Sequence, residues 1–349
     1  MTFDWGYPDF DAHEAVHLFS DADTGLQAVI AIHSTALGPA AGGVRFWHYP
    51  RSADAITDAL RLSRGMSFKN AMAGLPMGGG KGVVLADASR TKTNAMLEAF
   101  GRRIDSLNGR YVTAEDVGMA EADMLTIRSA TRHVSGLPAE AGQAGGDPGP
   151  FTARGVYLGV RAAARRALGA DSMRGVRVAI QGVGSVGGGL ARLLVADGAV
   201  LTLADVDGAR AQALADELGA RTADTADILA ADVDIVSPNA LGAVLDTRTI
   251  GTLRAKAVAG GANNQLATAA DGAALHDRGI LYAPDYVINA GGIINVALEY
   301  LGQGSREEVM ARIDRIPERL TQVWDEASRT GASHAATADQ IAKRLIGRG

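Results

Sequence analysis

The chain has 349 residues, 47% hydrophobic and 21% charged, a composition that suits about two globular domains and argues against a disordered polypeptide. A net charge of −5 gives no global electrostatic reason to bind nucleic acid or an anionic membrane, and no window approaches the roughly 20 apolar residues of a membrane span. Zero cysteines exclude disulfides, thiol nucleophiles and Cys-based metal sites, and an N-terminus without a basic and then apolar signal pattern predicts a soluble, cytoplasmic protein.

Residues 1–135 read as an α/β unit. LQAVIAIHS, 26–34, is apolar and β-branched in its middle and predicts a buried strand. Ser52 is placed to N-cap a helix that turns Ile56, Leu60 and Met66 inward, and Thr91 to cap another carrying Leu97, Phe100, Ile104 and Leu107. GLPMGGGKG, 74–82, is too rich in glycine for a helix. The sharpest composition shift is GLPAEAGQAGGDPGP, 136–150, which reads as an interdomain linker.

Beyond it, short apolar strands alternate with helices. The strands are VRVAI (176–180), AVLTLAD (199–205), VDIVSP (233–238), KAVAG (256–260) and ILYAP (280–284). Crossovers of a dozen residues or more predict a parallel, doubly wound sheet over 151–325. The amphipathic stretch 306–347 has no partner strand, and 326–349 is expected to pack back on the first domain.

Gly182, Val183, Gly184, Ser185, Val186 and Gly187 form a GxGxxG that leaves the strand VRVAI and opens a helix. In a glycine-rich chain the motif alone is weak. Strand before, helix after and Asp205 at the end of the next strand make it a dinucleotide fingerprint. The helix N-terminus would hold a pyrophosphate, and Asp205 would accept the ribose hydroxyls and repel a 2′-phosphate, which favours NAD over NADP. Arg210, in the following helix, leaves some tolerance of NADP open.

Of the 34 basic residues only five are lysines, and two of these, Lys69 and Lys81, fall within 13 residues of each other. Lysine can lose its proton when desolvated and arginine effectively cannot. With Gly42, Gly43 and Asp116, these lysines suggest a glycine-lined pocket for an anionic substrate that undergoes proton transfer. The plainer readings are a solvated surface lysine at 69 and a helix N-cap at Asp116.

The segments LGPAAGGVRF (37–46), GMSFKNAMAGLPMGGGKG (65–82), RYVTAEDVGMAEADM (110–124), GGANNQL (260–266) and YAPDYVINAGG (282–292), taken together, resemble the amino-acid dehydrogenase family. That family groups the glutamate, leucine, valine and phenylalanine dehydrogenases, and the likeness is greatest to the leucine, valine and phenylalanine branch. The resemblance implies an N-terminal α/β domain for substrate and oligomerisation and a Rossmann-type NAD-binding domain, with a cleft between them. It implies oxidative deamination of an L-α-amino acid to a 2-oxo acid, ammonia and NADH by a homo-oligomer. Lys69, with the Gly43 amide, would bind the α-carboxylate. Lys81, its pKa lowered with Lys69 nearby, would activate water, and Asp116 would shuttle the amino proton. Thr152, Asn239, Ala240, Asn264 and Asn289 match positions lining the nicotinamide side of the site, with Asn264 also toward the substrate. The family's Pro-Cys-Ala-Leu-Gly is here Pro238-Asn239-Ala240-Leu241-Gly242, so no side-chain role carries over to Asn239, whose amide needs partners if buried.

The glutamate branch has a lysine where this chain has Ala41 and a serine where it has Val296, so a distal carboxylate would go unpaired. The implied pocket is Ala41, Met66, Ala114, Ile293 and Val296. Ala41 resembles the phenylalanine type, whereas Ala114 and the run Ile293–Val296 resemble the leucine type. A branched-chain substrate is favoured over phenylalanine. A decayed, non-catalytic NAD-binding protein would have lost the lysines. A hydroxy-acid dehydrogenase would need a His acid/base with an Arg clamp, which the seven histidines do not form, and no metal is expected.

Overall fold

In the computed structural model, which describes residues 5–89, 91–138, 142–302 and 304–348, the apolar run 26–34 is the strand on which the first half is built. The elements there are β1 (Ala15–Asp21), β2 (Leu26–Ser34), β3 (Ala40–Ala41), β4 (Val44–Trp47), α1 (Ser52–Met72), β5 (Gly78–Leu85), α2 (Asn94–Asp105), β6 (Tyr111–Val112) and α3 (Glu121–Arg128). They form a mixed sheet of order β1-β2-β5-β3-β6, with β4 also paired to β5. Both faces of β2 are covered, which is why its sequence does not alternate with polar residues. Leu26, Ala28, Ile30 and Ile32 join Phe100, Ile104, Met124 and Ile127 of α2 and α3, whereas Val29 and Ala31 meet Ala55, Ala59 and Leu60 of α1.

Two expected caps move. Arg51, not Ser52, occupies the N-cap position of α1 and makes no side-chain cap bond, Ser52 being already helical. Thr93 caps α2, its hydroxyl accepting from the Met96 amide at 3.2 Å, whereas the Thr91 amide donates to Asp87 in the preceding turn at 2.8 Å.

The chain continues through α4 (Gly149–Leu168), β7 (Arg177–Gln181), α5 (Ser185–Ala196), β8 (Val200–Ala204), α6 (Gly208–Leu218), β9 (Arg221–Thr222), β10 (Ile235–Pro238), α7 (Thr247–Thr252), β11 (Ala257–Val258), α8 (Ala269–Asp277), β12 (Leu281–Tyr282) and α9 (Asp285–Ile288). The helices α10 (Gly291–Tyr300), α11 (Arg306–Ile313), α12 (Ile316–Thr330) and α13 (His334–Leu345) follow. All pairs in the sheet β12-β11-β10-β7-β8-β9 are parallel. The five expected strands are present, and β9, two exposed polar residues with no apolar signal, is additional.

The chain divides into two units. The first runs to Asp147 and includes Ile293–Val309 and the residues from Ala342; the second holds Pro148–Gly292 and Met310–Ile341. Of the segment expected to return to the first domain, 326–349, the part up to Ile341 therefore lies in the second unit, where Tyr286 donates to Asp339 at 2.9 Å and Trp324 to the Tyr282 carbonyl at 2.9 Å. The final stretch joins the first unit through Arg348, which donates to the carbonyls of Asp11 and His33 at 2.8 and 2.6 Å. Residues 139–141 of the expected linker lie outside the described residues. Its remainder up to 147 is fastened within the first unit, where Glu299 accepts from the amides of Gly136 and Leu137 at 2.6 and 3.2 Å. Asn295 exchanges two bonds with the Gly145 backbone at 2.9 and 3.0 Å. A loop with little apolar content is held by side chains 150 or more residues away, which local composition does not register.

Candidate active site

Strand alternation places Gly79, Lys81 and Val83 of β5 on the sheet face covered by α1, and Gly80 and Gly82 on the opposite face. The glycines serve packing inside the protein. A Cβ on Gly79 would lie 2.0 Å from the Ser67 amide of α1, and one on Gly80 would lie 2.7 Å from the Tyr111 ring. These missing Cβ atoms admit helix α1 and an aromatic ring.

That close packing buries Lys81, whose ammonium donates to Asp116 Oδ2. Burial pushes the ammonium below the usual lysine range; Asp116 works against this, and the Arg45 charge adds to it. Burial alone would raise the Asp116 carboxyl, but Lys81 and Arg45 beside it hold it below the usual carboxylate range. The cation contributing most to the Lys81 shift is thus Arg45 rather than the expected Lys69. Asp116 is no helix cap; it sits in the loop between β6 and α3, where Lys92 binds Asp123 and the Gly118 carbonyl (2.9 Å).

Ala41 pairs with Gly79 in the sheet register and so shares the Lys81 face. The Gly42 amide is taken by the Val112 carbonyl at 3.1 Å. Among the described residues the Gly43 amide donates to no other group, while a Cβ there would lie 2.6 Å from the Glu115 carbonyl and 3.0 Å from the Asp116 Cβ. Met66 packs toward Gly42, 3.1 Å from where a Cβ would stand, and half-buried Lys69 follows it at i+3 on α1. Ala114 gives its carbonyl to the Val44 amide at 2.8 Å. Ile293 and Val296, at i and i+3, are half-buried on one face of α10 within the same unit.

Two residues of this cluster were not singled out from the sequence, although Arg45 lies in the segment GGVRF. Arg45 Nε stands 3.4 Å from Asp116 Oδ2, and its Nη1 donates to Asp58 Oδ2 at 2.7 Å. Asp58, buried on α1, also accepts from the Tyr49 hydroxyl at 2.6 Å and from Arg61 at 3.0 Å. The one available signal was an aspartate at a position that helical periodicity turns inward.

In the second unit the glycine motif behaves as its spacing requires. Gly182 has φ +87°, and a Cβ on Gly187 would stand 1.9 Å from the Gly182 carbonyl oxygen. Gly184 faces open space, leaving its backbone approachable from outside. Asp205 accepts from the Val183 and Asp207 amides at 2.8 and 2.9 Å. Burial would raise this carboxyl, but those two bonds and Arg210 keep it below the usual range. A cavity of about 540 Å³ opens beside it, lined by Val206, Gly208, Ala211, Thr222 and Asp224 among others. Arg210 is held by Asp207 at 3.2 Å and Asp205 at 3.7 Å.

Asn239 finds the partners its amide needs: it donates to the Ser237 carbonyl and hydroxyl at 2.9 and 3.0 Å and accepts from the Gly261 amide at 2.9 Å. Asn289 donates to the Gly261 carbonyl and to Asn263, leaving its own carbonyl oxygen buried and with no partner among the described residues. Ala240 packs against Gly182, Asn264 is exposed at φ +52°, and the Thr152 hydroxyl donates to the Pro148 carbonyl at 3.0 Å. The orphaned Asn289 oxygen, the open side of Gly184 and the Asp205 cavity together fit a bound dinucleotide. No helix of the described residues is long and apolar enough to cross a membrane.

Residues 13–133 match the family model described as Glu/Leu/Phe/Val dehydrogenase, dimerisation domain, and residues 210–346 match that described as Glutamate/Leucine/Phenylalanine/Valine dehydrogenase. The chain is 47% identical over 334 residues to the leucine dehydrogenase of Geobacillus stearothermophilus, covering 96% of this chain and 90% of that one. It is 46% identical over 343 residues to the valine dehydrogenase of Streptomyces albus, covering 97% and 94%. The crystal structure of the L-tryptophan dehydrogenase from Nostoc punctiforme superimposes with a TM-score of 0.86 at 39% identity, covering 96% of each chain.

Proposed function

Since the chain belongs to the glutamate, leucine, phenylalanine and valine dehydrogenase family of oxidoreductases, we propose that it oxidatively deaminates a branched-chain L-amino acid, with NAD as the hydride acceptor. The observation that carries the reading is the pair of buried Lys81 and half-buried Asp116 beside Gly43, on a sheet face where Ala41 offers a distal carboxylate nothing.

Lys69 and the Gly43 amide bind the substrate α-carboxylate, which orients the amino group toward Asp116. Asp116, held ionised, accepts a proton from the substrate ammonium. Lys81 in its neutral form takes a proton from the water that adds to the protonated imine, and Asp116 returns its proton to the departing ammonia and then takes the hydroxyl proton as the carbonyl forms. Bound NAD, held by Gly182–Gly187 and Asp205, supplies the hydride acceptor. Asp205 retains lone pairs for ribose hydroxyls and would repel a 2′-phosphate, while Asp207 keeps Arg210 occupied, so NADP is disfavoured. The protein works as a cytoplasmic homo-oligomer, assembled through the unit that matches the dimerisation domain.

A substrate panel tests the reading. NADH formation is expected to be fastest with leucine and valine, slower with phenylalanine and at background with glutamate, and NADP is expected to be the poorer acceptor. Glutamate as the best substrate would overturn it. The pocket assignment makes a separate prediction. Ala41→Leu fills volume on the Lys81 face, so kcat/KM for leucine is expected to fall less than about tenfold. That for phenylalanine is expected to fall further, by roughly 1–3 kcal/mol of lost transition-state binding. Equal losses on both substrates would remove Ala41 from the pocket.

A further inference from the structure

Lys81 Nζ and Arg45 Nε approach the same oxygen, Oδ2 of Asp116, from two neighbouring strands of one sheet. Arg45 is not free to leave: its guanidinium also donates to Asp58, which is buried and tied in turn to Tyr49 and Arg61. Three cations and two carboxylates thus alternate as Lys81, Asp116, Arg45, Asp58 and Arg61. An isolated Lys81–Asp116 pair would be a poor base, because removing the lysine proton leaves an uncompensated buried carboxylate.

We propose that Arg45 is the positioning residue that allows Lys81 to act as a base: it shares the Asp116 carboxylate with Lys81, so the carboxylate keeps a cationic partner when the lysine gives up its proton. The proposal rests on the deaminase reading above and goes beyond it by naming the group that sets the protonation state of Lys81. Arginine suits the role because it stays charged throughout the working range. The charged and titratable groups facing Lys81 are Asp116 from the loop after β6, Arg45 from β4 and Asp58 from α1. Tyr111 of β6 turns its hydroxyl to the Gly42 carbonyl at 2.7 Å, Tyr49 stands behind Asp58, and Lys69 and Arg64 are half-buried cations on α1. Burial and the Arg45 charge both favour neutral Lys81, and Asp116 and Asp58 oppose them.

The test compares the full-length protein with Arg45→Gln, Arg45→Met and Arg45→Lys. An amine-selective acylating reagent is applied across a pH series, and the Lys81 peptide is quantified by mass spectrometry. In the two neutral variants the midpoint for Lys81 labelling is expected to rise by about one pH unit, since a nearby cation is lost. In Arg45→Lys it is expected to stay near wild type. The acid limb of kcat/KM for leucine deamination should move upward with the labelling midpoint, so that at a fixed pH below the limb the rate falls about tenfold. An unchanged midpoint in both neutral variants, or a uniform loss of activity at every pH, would overturn the proposal. A wild-type protein inactive on every amino acid would overturn the deaminase reading instead, while the labelling midpoints still decide the effect of Arg45 on Lys81.

Discussion

Lys81→Ala is expected to lower deamination by on the order of 10²–10⁴-fold while leaving NADH binding nearly intact. The loss is large because this ammonium sits on β5 under α1, where Gly79 brings the helix close enough to exclude solvent. Burial there shifts Lys81 toward its neutral form, which an exposed lysine reaches only at alkaline pH. Wild-type kcat/KM should accordingly rise with pH along a limb below the ordinary lysine value, and the residual activity of the variant should lack that limb. Cofactor binding should survive because Gly182–Gly187 and Asp205 belong to the other unit. NADH fluorescence titration and a pH–rate series measure both quantities, and near-normal turnover would take Lys81 out of the mechanism.

Asp116→Asn should have a comparable effect on kcat and, unlike Lys81→Ala, a distinct effect on stability. The amide cannot accept the substrate proton, which predicts a loss of on the order of 10²–10⁴-fold. It also leaves Lys81 and Arg45 without the carboxylate they share, at a cost of about 1–3 kcal/mol. This cost should depend on pH. In wild type the Asp116 carboxyl titrates below its unfolded value, so its contribution is present near neutrality and is lost as pH falls through the folded value. In the variant the remaining burden is a buried lysine that binds its proton more weakly folded than unfolded. The deficit should therefore shrink as pH rises toward the unfolded lysine value of about 10.4. Urea unfolding of both proteins at pH 7 and pH 9 tests the sign. A deficit that is constant or grows with pH would show that Lys81 does not carry the unpaired charge.

Much of the molecule was legible because its signals are local. The strand–glycine–helix–acid order of 176–205 marks a nucleotide fingerprint through turn geometry alone, and α5 opens at Ser185, within the motif, as expected. The scarcity of lysine set Lys69 and Lys81 apart before any contact was known. Replacement of the family's cysteine at 239 raised the question of partners for an amide, and the end of β10 and the Gly261 loop answer it.

The amino-acid sequence by itself determined the fold class, the family and the glycine-rich motif, and it singled out the side chains of the proposed chemistry, because each is encoded within one segment or in the order of segments. Tertiary structure decided which groups share a charge. Arg45 and Asp58, 13 residues apart and on different elements, pair with each other, and Arg45 reaches Asp116, only after β4 pairs with β5 and α1 packs over the sheet. It decided the use of the glycines, since whether a missing Cβ admits a ligand or a helix depends on what lies opposite. It also decided that Gly136, Leu137 and Gly145 are anchored by Glu299 and Asn295 within one unit. Local propensity reports what a residue prefers; the partner that makes it a base, a clamp or a spacer comes from distant chain.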